Sequence, residues 1–121
     1  MAKLRIHPLL LGRYLKVEKS IFTYGFNQGV KFSASCIGWY IEGAEKKVLV
    51  DTGPSHPDLA LKYHPHLELS REDLGLHRAL AGVGIKPQDI DLVVFTHLHW
   101  DHCYNAESLS RATFLIQSEE L

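Results

Sequence analysis

Residues 91–102 read Asp91-Leu92-Val93-Val94-Phe95-Thr96-His97-Leu98-His99-Trp100-Asp101-His102, an apolar run that passes directly into a cluster of metal-type donors. A continuous apolar segment such as Leu92–Phe95 is the mark of a strand buried on both faces. His97, His99, Asp101 and His102 then place four potential ligands within six residues, just past the strand's end. Side chains of an extended segment alternate faces, so His97 and His99 point the same way and can share one ion, as paired histidines do in zinc sites. Asp101 and His102 fall at the turn into the next helix, where they can hold a second ion beside the first. Two divalent ions about 3.5–4 Å apart bind a bridging water, lower its pKa and polarise a carbonyl or phosphoryl oxygen together. Two blander readings compete: a surface loop that happens to be rich in histidine, and a structural zinc site. Short motifs do match by chance, but four correctly typed positions after a buried strand rarely do. A structural site would ordinarily use cysteine, and Cys103 is the one thiol nearby.

Upstream, Val48-Leu49-Val50 is a second apolar run, and it stops at the turn cluster Asp51-Thr52-Gly53-Pro54. An aspartate at such a strand end can orient a ligand histidine through its second ring nitrogen. Capping the turn before Thr-Gly is the plainer role, and the first is preferred here. Phe32 to Glu42 is rich in aromatic and β-branched residues and reads as a strand, joined to Val48–Val50 by the polar turn Gly43–Lys47. Trp39, Tyr40 and Phe32 on that strand are expected to pack the core. Lys3 to Tyr14 reads as an edge strand interrupted by Pro8, a residue allowed at an edge.

His56 to Leu69 looks irregular and long enough for a functional loop, with His56, His64 and His66 read as solvated rather than as lining an entrance. Ser70 with Asp73 three residues on has the capping-box pattern, which predicts a helix starting there. Leu76, Leu80 and Val83 form its apolar stripe, and Gly82, Gly84 and Pro87 end it. Arg111 to Gln117 reads as a short strand, and Ser118-Glu119-Glu120 as the opening of a further helix. Cys103 is expected to be a small packing residue, and Trp100 either shields the motif or touches a substrate. The order of elements is an α/β (α+β) pattern.

The 121 residues are an ordinary domain's worth of chain, a length at which roughly two thirds of the unfolded chain's surface can be buried. Thirteen basic and fourteen acidic residues leave a net charge of -1, so no broad positive field exists to hold a nucleic acid. The apolar stretch Pro8–Leu11 is too short for a signal peptide and Arg13 interrupts it, and no segment reaches membrane-spanning length. Two cysteines, Cys36 and Cys103, are sparse for a disulfide framework, which points to reduced thiols and a cytoplasmic protein.

Taken together, Val48-Leu49-Val50-Asp51-Thr52-Gly53 and the string from Asp91 through Asp101-His102-Cys103-Tyr104-Asn105 resemble the metallo-β-lactamase superfamily, from about Phe32 to the last residue. The resemblance implies an αββα sandwich with a metal site at one edge. It also implies that His97 and His99 bind a first ion and Asp101 and His102 a second, with Asp51 behind a ligand histidine. In that family a further histidine, a bridging aspartate and a last histidine follow well downstream, so the expectation is that residues 1–121 form a partial domain, the N-terminal half of the sandwich. His56, His64, His66 and His77 all precede the motif, and their spacing does not suggest that they replace those ligands.

The motif region is most like the lactonases that open N-acyl homoserine lactones. The implied activity is metal-dependent hydrolysis, in which a metal-activated hydroxide attacks an ester-like or lactone carbonyl. Asp101 is then the catalytic carboxylate, orienting the nucleophile or passing on its proton. Two zinc ions are expected, although imidazole ligands also admit iron or manganese. Histidine at position 99 favours zinc hydrolysis over the superfamily's di-iron branch. Alternatives are a thioester hydrolase of the glyoxalase II type, a phosphodiesterase, a non-catalytic truncated homologue, or one half of a split enzyme completed by a partner chain.

Overall fold

A computed structural model describes residues 3–121. Five strands form one mixed sheet in sequential order: β1 (Arg5–Glu18), β2 (Lys31–Glu42), β3 (Val48–Val50), β4 (Leu92–Val94) and β5 (Thr113–Leu115). β1–β2 and β2–β3 pair antiparallel, while β3–β4 and β4–β5 pair parallel. β1 is an edge, which is how Pro8 can lie in register with Trp39 without a missing ladder bond on its outer side.

The parallel pairs need crossovers, and the one from β3 to β4 carries two short helices, α1 (Pro57–Tyr63) and α2 (Leu76–Gly82). Leu76 and Leu80 of α2 are buried on Leu9, Leu11, Tyr40, Leu49, Val93 and Phe95, so this face of the sheet is the core. The opposite face carries Ile6, Trp39, Ile41, Val48, Val50, Leu92, Val94 and Leu115 in register across all five strands. It is only half-covered, with Trp39 42% and Leu115 55% exposed. Leu92–Val94 is therefore covered fully on one face only, against the expectation of burial on both. Trp39 likewise leaves the expected core position, because its neighbour Tyr40 takes the inward one.

Two helical assignments differ from expectation. His56–Leu69 is not an open loop: His56 Nδ1 accepts from Asp58 N–H at 3.4 Å and Pro57 occupies the first position of α1, a favourable start that the prolines and histidines disguised. The Ser70 hydroxyl caps a turn by accepting from Glu72 N–H at 3.2 Å, but α2 starts only after Gly75, whose φ of 121° breaks the chain between the two. The last expected helix is a single 3₁₀ turn at Ser118–Glu120. Among the described residues no helix is long and apolar enough to cross a membrane.

Beyond the end of β3 the β1–β2 hairpin continues as an arm. Tyr14, Val17 and Cys36 on it are buried with Ala60 and Leu69, and Trp100 packs against them. The loop after β3 meets the arm through two glycines. A Cβ on Gly12 would stand 2.7 Å from Pro54, and one on Gly53 would stand 2.7 Å from the Leu11 Cβ. Gly53 also has a φ of 84°, a region costly for any other residue. Gly53→Ala is expected to lower stability by about 1–3 kcal/mol from backbone strain, with the steric contact adding to it. Thermal melts read by circular dichroism check this, and a Tm equal to the parent's would show that the loop does not need the close approach.

Candidate metal centre

β3 and β4 run parallel and end side by side, so the residues after each strand meet at one edge of the sheet. Asp51 follows β3 directly, and its N–H donates to Val94 O at 3.0 Å. Its φ of 61° is unusual for a residue with a side chain, and its carboxylate is buried. Burying a carboxylate is costly unless it is hydrogen-bonded. Here Oδ1 accepts from Thr96 N–H at 2.9 Å, Oδ2 accepts from the Thr96 hydroxyl at 2.8 Å, and Oδ2 also lies 2.8 Å from His102 Nδ1.

These bonds fix two imidazole tautomers. A carboxylate only accepts, so His102 Nδ1 carries a proton and, in the neutral ring, Nε2 is left bare. The Thr96 hydroxyl spends its one hydrogen on Asp51, so toward His97 Nδ1, 3.0 Å away, it can only accept. His97 Nδ1 is therefore protonated too, and its Nε2 is also free for a cation. The rings gather: the His97 centroid stands 4.5 Å from that of His99 and 4.1 Å from that of His102. The short helix α3 (Trp100–Cys103) holds Asp101 and His102 and is stitched to the β3 loop. Thr52 N–H donates to His102 O at 2.7 Å, and Asn105 Nδ2 donates to Thr52 O and Pro54 O at 2.8 and 3.0 Å.

Asp101 is half-buried, and its Oδ2 accepts from the Tyr14 hydroxyl at 2.9 Å. Burial, with the nearby Cys36 and Asp101 adding to it, pushes the Tyr14 phenol far above its ordinary range, so it stays a donor. Burial likewise pushes the Cys36 thiol up to about 11. Trp100 stacks on His64, centroids 4.7 Å apart at 12°, and meets the ring of Tyr14 edge-on at 6.3 Å. His64 is thus half-buried against the motif rather than solvated, whereas His56, His66 and His77 are exposed. A mainly apolar cavity of about 390 Å³ lies between α1 and Trp100, lined by Leu59, Ala60, Tyr63 and Tyr104 among others. Cys103 packs partly on the core, as expected, with Sγ 3.5 Å from Leu98 O.

Sequence reading found Asp51 and the motif but missed Thr96 and Tyr14. Thr96 stood inside the quoted string, and its place between Asp51 and His97 was the signal available. Tyr14 is 87 residues from Asp101 and gave none.

Among the described residues no group of three or more His, Cys, Asp or Glu side chains stands arranged to hold a metal ion. The donors nevertheless suit one. Two imidazoles present bare Nε2 atoms, and His102 Nε2 lies 3.8 Å from Asp101 Oδ2, an imidazole and carboxylate set of the kind zinc and other divalent ions take.

The chain belongs to the metallo-beta-lactamase superfamily, whose family model matches residues 36–117. A probable metallo-hydrolase of Methanocaldococcus jannaschii is 40% identical over 43 residues, 36% of this chain and 21% of that protein. The crystal structure of a Bacillus thuringiensis AiiA mutant with N-decanoyl-L-homoserine bound at its active site matches with a TM-score of 0.78 and 22% identity, over 99% of this chain and 50% of that one. The dizinc quorum-quenching lactonase AidC, in complex with a product homoserine, matches with a TM-score of 0.66 and 18% identity, over 99% of this chain and 44% of that one. The chain thus spans about half the length of the solved structures it matches, and at these identities they show the fold.

The tautomer assignment is open to a direct check. Long-range nitrogen–proton spectra of the chelator-treated protein should show neutral His97 and His102 protonated on Nδ1. In Asp51→Ala both should move toward the Nε2–H form, and parent spectra already showing Nε2–H would undo the assignment.

Proposed function

We propose that this chain supplies the first metal-binding segment of a metal-dependent hydrolase acting on a lactone or a related carboxylic ester. The observation that carries this reading is the meeting of His97, His99 and His102 at the ends of two parallel strands, with Asp51 behind them fixing two tautomers. His97 and His99 would hold one ion, and Asp101 with His102 a second. Zinc is our reading for both, supported by the imidazole-rich donor set and by the dizinc relative. When bound, such ions polarise an ester carbonyl and make a water acidic.

The chain's own residues do the rest. Asp51 and Thr96 keep the ligand nitrogens aimed, and Asp101 is the motif's one carboxylate, suited to take up the proton released as water adds to the carbonyl. The N-acyl homoserines bound in the similar structures favour a lactone over the thioester and phosphodiester alternatives. Catalytic zinc sites usually have three protein ligands and an open position. We read the remaining donors as lying outside these residues, on the same polypeptide or a partner chain, which would also cover the apolar second face of the sheet. The unpaired Cys36 and Cys103 support a cytoplasmic setting.

The double variant His97→Ala/His99→Ala should lose metal, measured by plasma emission, together with turnover of N-acyl homoserine lactones. Full metal content in that variant would remove the ligand assignment. Turnover of a thioester such as S-lactoylglutathione with no lactone opening would leave the metal centre in place and replace the substrate.

In Asp51→Ala, metal affinity should fall by about 10–100-fold with the fold retained, the usual consequence of removing a carboxylate that orients a ligand histidine. Metal titration alongside circular dichroism checks it, and unchanged affinity would return Asp51 to a turn-capping role.

A further inference from the structure

Tyr14 is outside the motif, outside the loop that supports it, and on the far arm of the β1–β2 hairpin. Its ring is buried, but filling that space would need only phenylalanine. Its hydroxyl instead donates to a motif carboxylate, Asp101 Oδ2, at 2.9 Å. The strand that carries it is pinned at this level. Leu15 N–H donates to Glu68 O and Ser70 N–H to Arg13 O, both at 2.8 Å, and Tyr14 bridges Leu69.

His102 Nε2 also stands near Asp101 Oδ2, at 3.8 Å, and the Cys36 thiol lies close to the Tyr14 hydroxyl and to Asp101. The His102 separation is too long for a hydrogen bond, whichever protons the ring carries. Nothing on α3 itself therefore holds the Asp101 carboxylate in place. The phenol does.

We propose that Tyr14 is a positioning residue for the metal centre: its hydroxyl fixes the Asp101 rotamer by engaging Oδ2, the oxygen on the side of His102 Nε2. This rests on the metal-hydrolase reading, because the orientation of Asp101 matters to chemistry only if Asp101 meets a cation. A neutral hydroxyl on one carboxylate oxygen leaves the charge of the ligand intact while removing its rotational freedom.

Tyr14→Phe keeps the ring against Trp100 and removes only the hydroxyl. In the full chain, Co(II) affinity by competition with a chromophoric chelator, the visible spectrum of the Co(II)-loaded protein and the Tm of the metal-free protein separate positioning from folding. We expect a Tm close to the parent's, a loss in Co(II) affinity of about 10-fold or more, and a changed Co(II) spectrum. With a lactone substrate, kcat should fall while KM holds. Asp101→Asn should lose Co(II) affinity as well, and Tyr14→Phe should add little to it, because Tyr14 acts through Asp101.

Parent affinity and spectrum in Tyr14→Phe, with Asp101→Asn impaired, would overturn the positioning role and leave the metal reading standing. Parent affinity in Asp101→Asn would instead take Asp101 out of the ligand set and overturn the proposal, while the metal reading stands or falls on the His97→Ala/His99→Ala variant. Should Tyr14→Phe fail to fold, 3-fluorotyrosine at position 14 offers a stronger donor of nearly the same size. A shifted Co(II) spectrum then supports the proposal and an unmoved one overturns it.

Discussion

The buried carboxylate of Asp51 is the interaction on which the edge of this sheet depends. It is desolvated, it sits on a backbone with φ of 61°, and it accepts hydrogen bonds from Thr96 after β4 and stands within bonding distance of His102 on α3. A non-glycine residue in that conformation costs about 1–3 kcal/mol, and burying an unpaired charge costs more. Both penalties are offset only while all three partners stay in place. The carboxylate therefore ties the end of β3 to two points of a motif 45 and 51 residues further along, and loosening either leaves a charge uncompensated in the interior.

The topology makes this junction possible. Parallel strands put their C-terminal ends together, and the crossover between them lays α2 over the body of the sheet while α1 packs on the arm beside Trp100. Strand ends of this kind are where α/β sheets place ligands. Val93 of β4 and Phe95 just after it supply a rigid base, both buried in the core with Leu76 and Leu80 of α2, so the histidines begin where the sheet's rigidity ends.

Much of this was legible from residue types. Apolar runs bounded by Asp-Thr-Gly and by His-x-His marked two strand ends, and the meeting of Asp51 with a motif histidine followed from the need to orient an imidazole. What was hidden depended on contacts that no local pattern encodes. The helix α1 lay behind prolines that usually signal loops, yet Pro57 stands at the one helical position where proline is favourable. Gly75 delayed α2 past a sound capping signal at Ser70. Trp39 and Tyr40 are adjacent on a strand, so only one could face the core, and composition could not say which.

Tyr14 shows the same limit through register. Leu9 pairs with Gly38 and faces the core, and strict alternation would send the even-numbered residues of β1 to the other face. The ladder instead runs from Leu10 opposite Ile37 to Gly12 opposite Cys36, which leaves Leu11 as an extra residue in β1. Such a bulge reverses the sense of alternation beyond it. Leu9, Leu11 and Tyr14 can therefore all be buried on one side, the first two in the sheet core and the third in the arm's own cluster. The motif spans the same two clusters, since Phe95 belongs to the first and Trp100 packs on the second. His97 is thus set by the sheet and Asp101 by the arm. The distance between those two donors depends on the bulge at Leu11, where Gly12 and Gly53 let the arm and the β3 loop close on each other.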